Sequence, residues 1–183
     1  MIRMMITAGE SAAQSDVDFI QVREPHLNTR ELAACVRKMI CSEGPRILVN
    51  DRADVAIACG AAGVHLRDRS VSPNVIRRIA PAGFVITVAC HDDETVLRAA
   101  GEGADYAVLA PIFAPLSKPL DRPPLGLEAL RAIASRTKIP VIALGGITPE
   151  NAPLCMEAGA AGVAGITLFR NVGVSGYAPR LPS

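Results

Sequence analysis

The side chains able to do chemistry in this sequence stand at the ends of short apolar runs. Gln21-Val22-Arg23-Glu24 closes one run and Asn50-Asp51 the next. His65 lies within a third run and is followed by Arg67-Asp68, and Cys90-His91 closes a fourth. Histidine is the residue type that exchanges a proton near neutral pH. His91, ahead of Asp92-Asp93-Glu94, is therefore either a proton carrier or a residue leading into a helix with its ring satisfied. Arg23 ends an apolar strand, and a buried charge needs a partner. That partner is Glu24 or the carboxylate or phosphate of a substrate. Asn50 and Asp51 either face a ligand or cap the helix that follows. Lys118 sits in a long Pro-rich loop from Pro111, of the kind that acts as a lid, and is a ligand contact or a solvated lysine. His65 reads as structural and His26 as solvated. Cys90 invites a thiolate, but neighbouring strand residues point to opposite faces, so it and His91 do not act together.

Two further strand ends are rich in small residues. Pro140-Val141-Ile142-Ala143-Leu144 stops at Gly145-Gly146, and Gly162-Val163-Ala164-Gly165-Ile166-Thr167 is a second apolar run of the same kind. Adjacent glycines allow positive φ and close approach to a ligand. Two successive strand ends with exposed amides make a phosphate site of the type barrels place after strands 7 and 8.

The elements that must position these groups alternate regularly. Strand-like runs fall at 4–7, 17–22, 46–49, 63–66, 84–89, 106–109, 141–144 and 163–167. Helical spacing appears at 29–40, 53–59, 72–79, 93–102, 127–136 and 149–157. Asn28, Ser72 and Thr148 are expected N-caps. The pattern predicts a single domain over 1–183, a trimmed (β/α)8 TIM barrel with helices 1 and 8 short or missing; an open doubly wound sheet is the alternative. The chain's 183 residues are few for such a barrel, which usually takes about 250. Strands 1 and 8 would leave a bare apolar flank, which points to a homodimer.

Half of the residues are apolar, and the net charge is +1 with no charged block. That suits a core of aliphatic residues under parallel α/β packing and argues against nucleic acid or a membrane as partner. No run has transmembrane length and no leader is visible, so a cytoplasmic protein is expected. The five cysteines show no metal spacing and read as reduced thiols.

In order along the chain, Gln21-Val22-Arg23-Glu24, Val49-Asn50-Asp51-Arg52, Ala62-Gly63-Val64-His65-Leu66, Pro111-Ile112-Phe113 with Ser117-Lys118, Pro124-Leu125-Gly126-Leu127 and Ala143-Leu144-Gly145-Gly146-Ile147 resemble the motif series of the thiamine-phosphate synthase/TenI superfamily. The resemblance runs from about Val17 to Phe169. It implies a (β/α)8 barrel and a phosphorylated thiazole as ligand, with the phosphate on Gly146, Ile166 and Thr167. It also implies one of two reactions. Synthases displace pyrophosphate from a hydroxymethylpyrimidine and join that group to thiazole phosphate. TenI-type members aromatise a thiazole carboxylate phosphate tautomer by moving a proton, with His91 at the position of the proposed shuttle.

Departures from the synthase pattern weigh towards a thiazole tautomerase. Pro25 stands where the synthases carry lysine, and Ser70 where they carry a second Mg²⁺-binding aspartate. Asp51 keeps the first such aspartate, and Asp68 is a conceivable substitute for the second. The sequence thus leads to a tautomerase with catalytic His91, no metal and no cofactor. Substrate contacts would come from Arg23, Asn50, Lys118, Gly146, Ile166 and Thr167. The alternatives are a Mg²⁺-dependent synthase using Asp51, and a non-catalytic thiazole-phosphate binder acting in regulation.

Overall fold

A computed structural model describes residues 1–7, 16–114 and 123–169. Eight parallel strands close into a barrel in sequence order. They are β1 (Ile2–Ile6), β2 (Phe19–Val22), β3 (Arg46–Asn50), β4 (Gly63–Leu66), β5 (Val85–Cys90), β6 (Tyr106–Leu109), β7 (Val141–Leu144) and β8 (Gly162–Gly165). The described helices are α1 (Thr29–Met39), α2 (Ala53–Cys59), α3 (Pro73–Arg77), α4 (Asp93–Gly101), α5 (Gly126–Arg136) and α6 (Ala152–Glu157). Closure is made by β8 on β1, with Met4 opposite Ala164. The fold is the trimmed (β/α)8 barrel, and the connections after β1 and β8 run into residues outside those described.

Strand alternation divides the core in two. Met4, Ile6, Phe19, Leu48, Val85, Val108, Ile142 and Ala164 fill the barrel interior. Their outward neighbours, including Val49, Val64, Ile86, Leu109, Ala143 and Val163, pack under the helices with Leu32, Val36, Val96, Leu130 and Ile133. Both faces are buried, so the strands read as continuous apolar runs. Full burial of each such aliphatic side chain stabilises the barrel by roughly 1.5–3 kcal/mol.

Helix starts follow local chemistry. Asn28 caps α1 as expected, accepting from the N–H groups of Arg30 and Glu31, while Glu31 reaches back to the Asn28 N–H. Asp92 and Thr95 form the same device at α4. Ser72 precedes α3 but makes no cap bond; its hydroxyl donates to Glu102 instead. The helix expected from Pro149 begins later, at Ala152. Thr148 and Asn151 exchange backbone-to-side-chain bonds at 2.8 and 3.4 Å and hold that stretch as a turn.

One expectation fails. Met5 on β1 and Val163 on β8 face outward yet are only 6% and 0% exposed. These two residues therefore do not form the bare apolar patch from which a homodimer was expected.

Candidate functional site

Extending the strands by one or two residues brings the sequence candidates to one mouth, at the C-terminal ends where such barrels place their sites. Leu144 pairs with Ala164 across β7 and β8, so Gly146 and Ile166 each follow two residues later at the same level. The N–H groups of Gly146, Ile166 and Thr167 donate to no partner among the described residues. Ile166 and Thr167 are exposed. These three unpartnered amides stand at the ends of β7 and β8, the place from which a phosphate site was expected. The Gly145-Gly146 turn is fixed from behind, because Ile112 and Phe113 donate to the carbonyls of Leu144 and Gly145, both at 2.9 Å. Gly145 and Gly146 have φ of 98° and 62°, which explains the glycine pair. A Cβ on Gly146 would also stand 2.6 Å from the Ala114 carbonyl oxygen.

Across the mouth, β2, β4 and β5 present a polar group. Gln21, His65 and Thr87 occupy inward positions and are buried. The His65 and Thr87 side chains meet at 2.8 Å through the ring Nδ1. Burial, with the nearby Arg23 charge adding to it and Asp51 opposing it, pushes the His65 pKa down to about 4, so the ring is neutral at physiological pH. His65 is the structural residue the sequence suggested. The Gln21 amide nitrogen is buried and makes no hydrogen bond, leaving an unused donor inside the mouth.

Asp51 is the most constrained group. Its φ of 57° is left-handed, uncommon for a residue with a side chain. The Arg67 Nε–H donates to its Oδ2 at 2.6 Å, and Nη2 forms an ion pair with the same oxygen at 2.5 Å. The Ser70 hydroxyl donates to Oδ1. Burial works to raise the Asp51 pKa, but the bonds from Ser70 and Arg67 outweigh it and hold the carboxyl below the usual range. Neither Asn50 nor Asp51 caps α2, whose N-cap is Arg52 without a side-chain bond. Asn50 ends β3 opposite His65 on the inward face and is half-buried.

Arg23 is exposed, so the buried-charge argument made from the sequence does not apply. Its expected partner Glu24 accepts from the Thr7 hydroxyl at 2.5 Å, and the Arg23 side chain makes no bond among the described residues. Asp68 pairs with Arg98 of α4 at 3.1 Å, so its carboxylate is engaged by a cation and not by the Asp51 group. Pro25 is exposed. Lys118, with Ser117, lies outside the described residues.

His91 follows β5 and stands level with Ala110, because Cys90 pairs with Leu109. Its Nδ1 lies 2.7 Å from the Ala110 carbonyl oxygen. A carbonyl only accepts, so Nδ1 is the donor in this bond, and in the neutral ring the lone pair then falls on Nε2. The ring is oriented but only half satisfied, which is the arrangement of a positioned base. Cys90 is fully buried and burial pushes its thiol up to about 12, which rules out a thiolate at neutral pH.

The groups present offer the Mg²⁺ that the synthase resemblance implies a poor donor set, a single carboxylate that is already engaged. Mg²⁺ in a phosphate site takes one or two carboxylates plus phosphate oxygens. The one carboxylate at the expected place already accepts from Arg67 and Ser70 on its two oxygens, and Asp68 is turned to α4. Among the described residues no group of three or more His, Cys, Asp or Glu could hold a metal ion. Arg67 as the partner of Asp51, and Thr87 as the partner of His65, were missed from the sequence. Thr87 had a signal: a polar residue on the inward face of an otherwise apolar strand.

A closed eight-stranded parallel barrel with unpartnered amides after β7 and β8 is the frame of the (β/α)8 class, which commonly binds phosphate at that end. The comparisons identify the family. The family described as thiamine monophosphate synthase (TMP-TENI) matches residues 3–169. The thiamine-phosphate synthase of Methanoculleus marisnigri is 43% identical over 159 residues, covering 85% of this chain and 75% of that protein. That of Albidiferax ferrireducens is 39% identical over 157 residues, covering 84% and 72%. The solved thiamine phosphate pyrophosphorylase from Pyrococcus furiosus superposes with a TM-score of 0.75 at 30% identity, covering 91% of this chain and 85% of that one. The chain belongs to the thiamine-phosphate synthase/TenI family.

Proposed function

We propose that this chain is a thiamine-phosphate synthase, joining the hydroxymethylpyrimidine group of its diphosphate ester to thiazole phosphate with loss of pyrophosphate. The observation that carries this reading is a mouth with two anion-binding ends. The free amides of Gly146, Ile166 and Thr167 take the thiazole phosphate. The cationic side chains of Arg23 and Arg67 stand by β2–β4 for a second anionic substrate. Between them the unused Gln21 amide donor and the inward Asn50 offer hydrogen bonds to a flat heterocycle. The synthase names of relatives near 40% identity support the same reading. Gly146, Ile166 and Thr167 act by binding and placing one reactant against the other, which converts a two-molecule encounter into a reaction of bound neighbours.

A second reading, the thiazole tautomerase expected from the sequence, is favoured by one specific observation. His91 is held by the Ala110 carbonyl with Nε2 left free, as a proton carrier requires. In that reaction one molecule bearing phosphate and carboxylate would span both ends. A homodimer stays compatible with either reading. The assay that separates them offers the purified protein the pyrimidine diphosphate plus thiazole phosphate, then the thiazole tautomer alone. Formation of thiamine phosphate supports the synthase. Proton exchange without coupling overturns it in favour of the tautomerase, and neither activity leaves a non-catalytic binder.

A further inference from the structure

The groups around Asp51 assign a role that the family pattern does not. Two departures from the pattern that the resemblance implies go with a contact the structure shows. Pro25 stands where the synthase pattern has lysine, Ser70 where it has a second carboxylate, and Arg67 adds a guanidinium bound to the carboxylate that remains. Arg67 is 69% exposed while the Asp51 side chain is only 16% exposed. The carboxylate therefore sits beneath, and the guanidinium faces solvent over the ends of β3 and β4. A guanidinium carries five N–H donors. Nε–H is spent on Asp51 Oδ2 and Nη2 lies against the same oxygen, while the other donors have no partner among the described residues. The loop that carries Arg67 is held in shape by the left-handed Asp51 and Arg69 (φ 61°), by Ser70 on Asp51 and by Asp68 on Arg98. Sparsely populated backbone at two adjoining points, over-determined by side-chain bonds, is how a fold fixes a group at a ligand site.

We infer that Arg67, buttressed by Asp51, receives the diphosphate of the second substrate directly, in the place where a divalent cation would otherwise stand. The inference rests on the synthase reading and specifies how that reaction would release its leaving group. The bond from the pyrimidine methylene carbon to the diphosphate oxygen breaks with its electron pair on the diphosphate. The thiazole nitrogen lone pair forms the new carbon–nitrogen bond. The charge that develops on the departing oxygen is met by the fixed guanidinium fork, whose planar geometry suits phosphate oxygens. Asp51 is a positioning residue here: it holds the fork and does not touch the diphosphate.

Inorganic pyrophosphate is the probe. Titration calorimetry of the whole chain in EDTA should show binding, unchanged within about threefold when Mg²⁺ replaces EDTA. Arg67→Met should weaken it by about tenfold to a hundredfold, the worth of charge-assisted hydrogen bonds. Arg67→Lys should restore only part, since an ammonium lacks the fork. Asp51→Asn keeps the Ser70 and Arg67 neighbours without the charge and should leave pyrophosphate affinity within about tenfold, with unfolding midpoints checking each variant. Mn²⁺ titration followed by electron paramagnetic resonance should show no stoichiometric tight site. Pyrophosphate binding that needs Mg²⁺ and vanishes in Asp51→Asn, or tight Mn²⁺ uptake lost in that variant, would overturn the inference. The two failures are distinguishable. Coupling turnover with Mg²⁺-dependent pyrophosphate binding sinks the inference and keeps the synthase reading. Metal-free binding on Arg67 without coupling keeps the anion site and sinks that reading.

Discussion

Arg67 grips Asp51 through Nε and Nη2 on one carboxylate oxygen, joining residues that follow adjacent strands. The contact closes the β3–β4 side of the mouth, with a part-buried carboxylate beneath an exposed guanidinium. The other consequences of the structure fall on three residues around the same mouth.

Acid should destabilise the fold through His65. Its folded pKa of about 4 lies below the ordinary 6.5, so the unfolded chain binds the extra proton first. The neutral ring therefore stabilises the fold fully above pH 6.5, and that contribution is lost as pH falls from 6.5 towards 4. The total is on the order of 3 kcal/mol. Asp51 acts in the same direction at lower pH, because its depressed pKa means stability is lost as it is protonated. Urea midpoints measured between pH 7 and 4 should fall steeply in the wild type and more gently in His65→Gln. Equal slopes would place the titrating group elsewhere.

The phosphate end is better tested at Thr167 than at Gly146. With φ of 62° and a Cβ position 2.6 Å from the Ala114 oxygen, Gly146→Asp would disturb the turn as well as the charge. Even Gly146→Ala should cost about 1–3 kcal/mol by this strain. Thr167 is exposed, so Thr167→Glu should leave the melting temperature within about 1 °C while weakening thiazole phosphate at least tenfold by calorimetry. Unchanged affinity would move the phosphate away from β8.

His91→Ala should leave thiazole phosphate affinity within about threefold and slow exchange of the thiazole tautomer by about a hundredfold. The α4 cap does not use its ring, so thermal stability should hold to within about 1 kcal/mol. Exchange at the wild-type rate, followed by proton NMR in deuterated buffer, would make the bond to Ala110 purely structural.

The barrel was legible because both faces of each strand are buried: Val141-Ile142-Ala143 reads as continuous apolar sequence for that reason. The capping chemistry of Asn28 was legible because it lies within four residues. The Arg67–Asp51 pair was not, since it joins positions sixteen residues apart and depends on a loop folding back over the neighbouring strand. Asp68 looked equivalent to Ser70 in sequence, but the loop turns it to Arg98. Arg23 follows an apolar run, yet it lies beyond the end of β2 in the open mouth, where strand burial no longer applies.

The central claim is an enzyme of thiamine biosynthesis holding thiazole phosphate on the amides after β7 and β8. The most direct measurement is an amide NMR titration of the whole chain with thiazole phosphate. The account predicts saturable shifts of the Gly146, Ile166 and Thr167 N–H resonances at one common affinity, reversed by competing inorganic phosphate. Saturable binding that leaves these three resonances unmoved would contradict it.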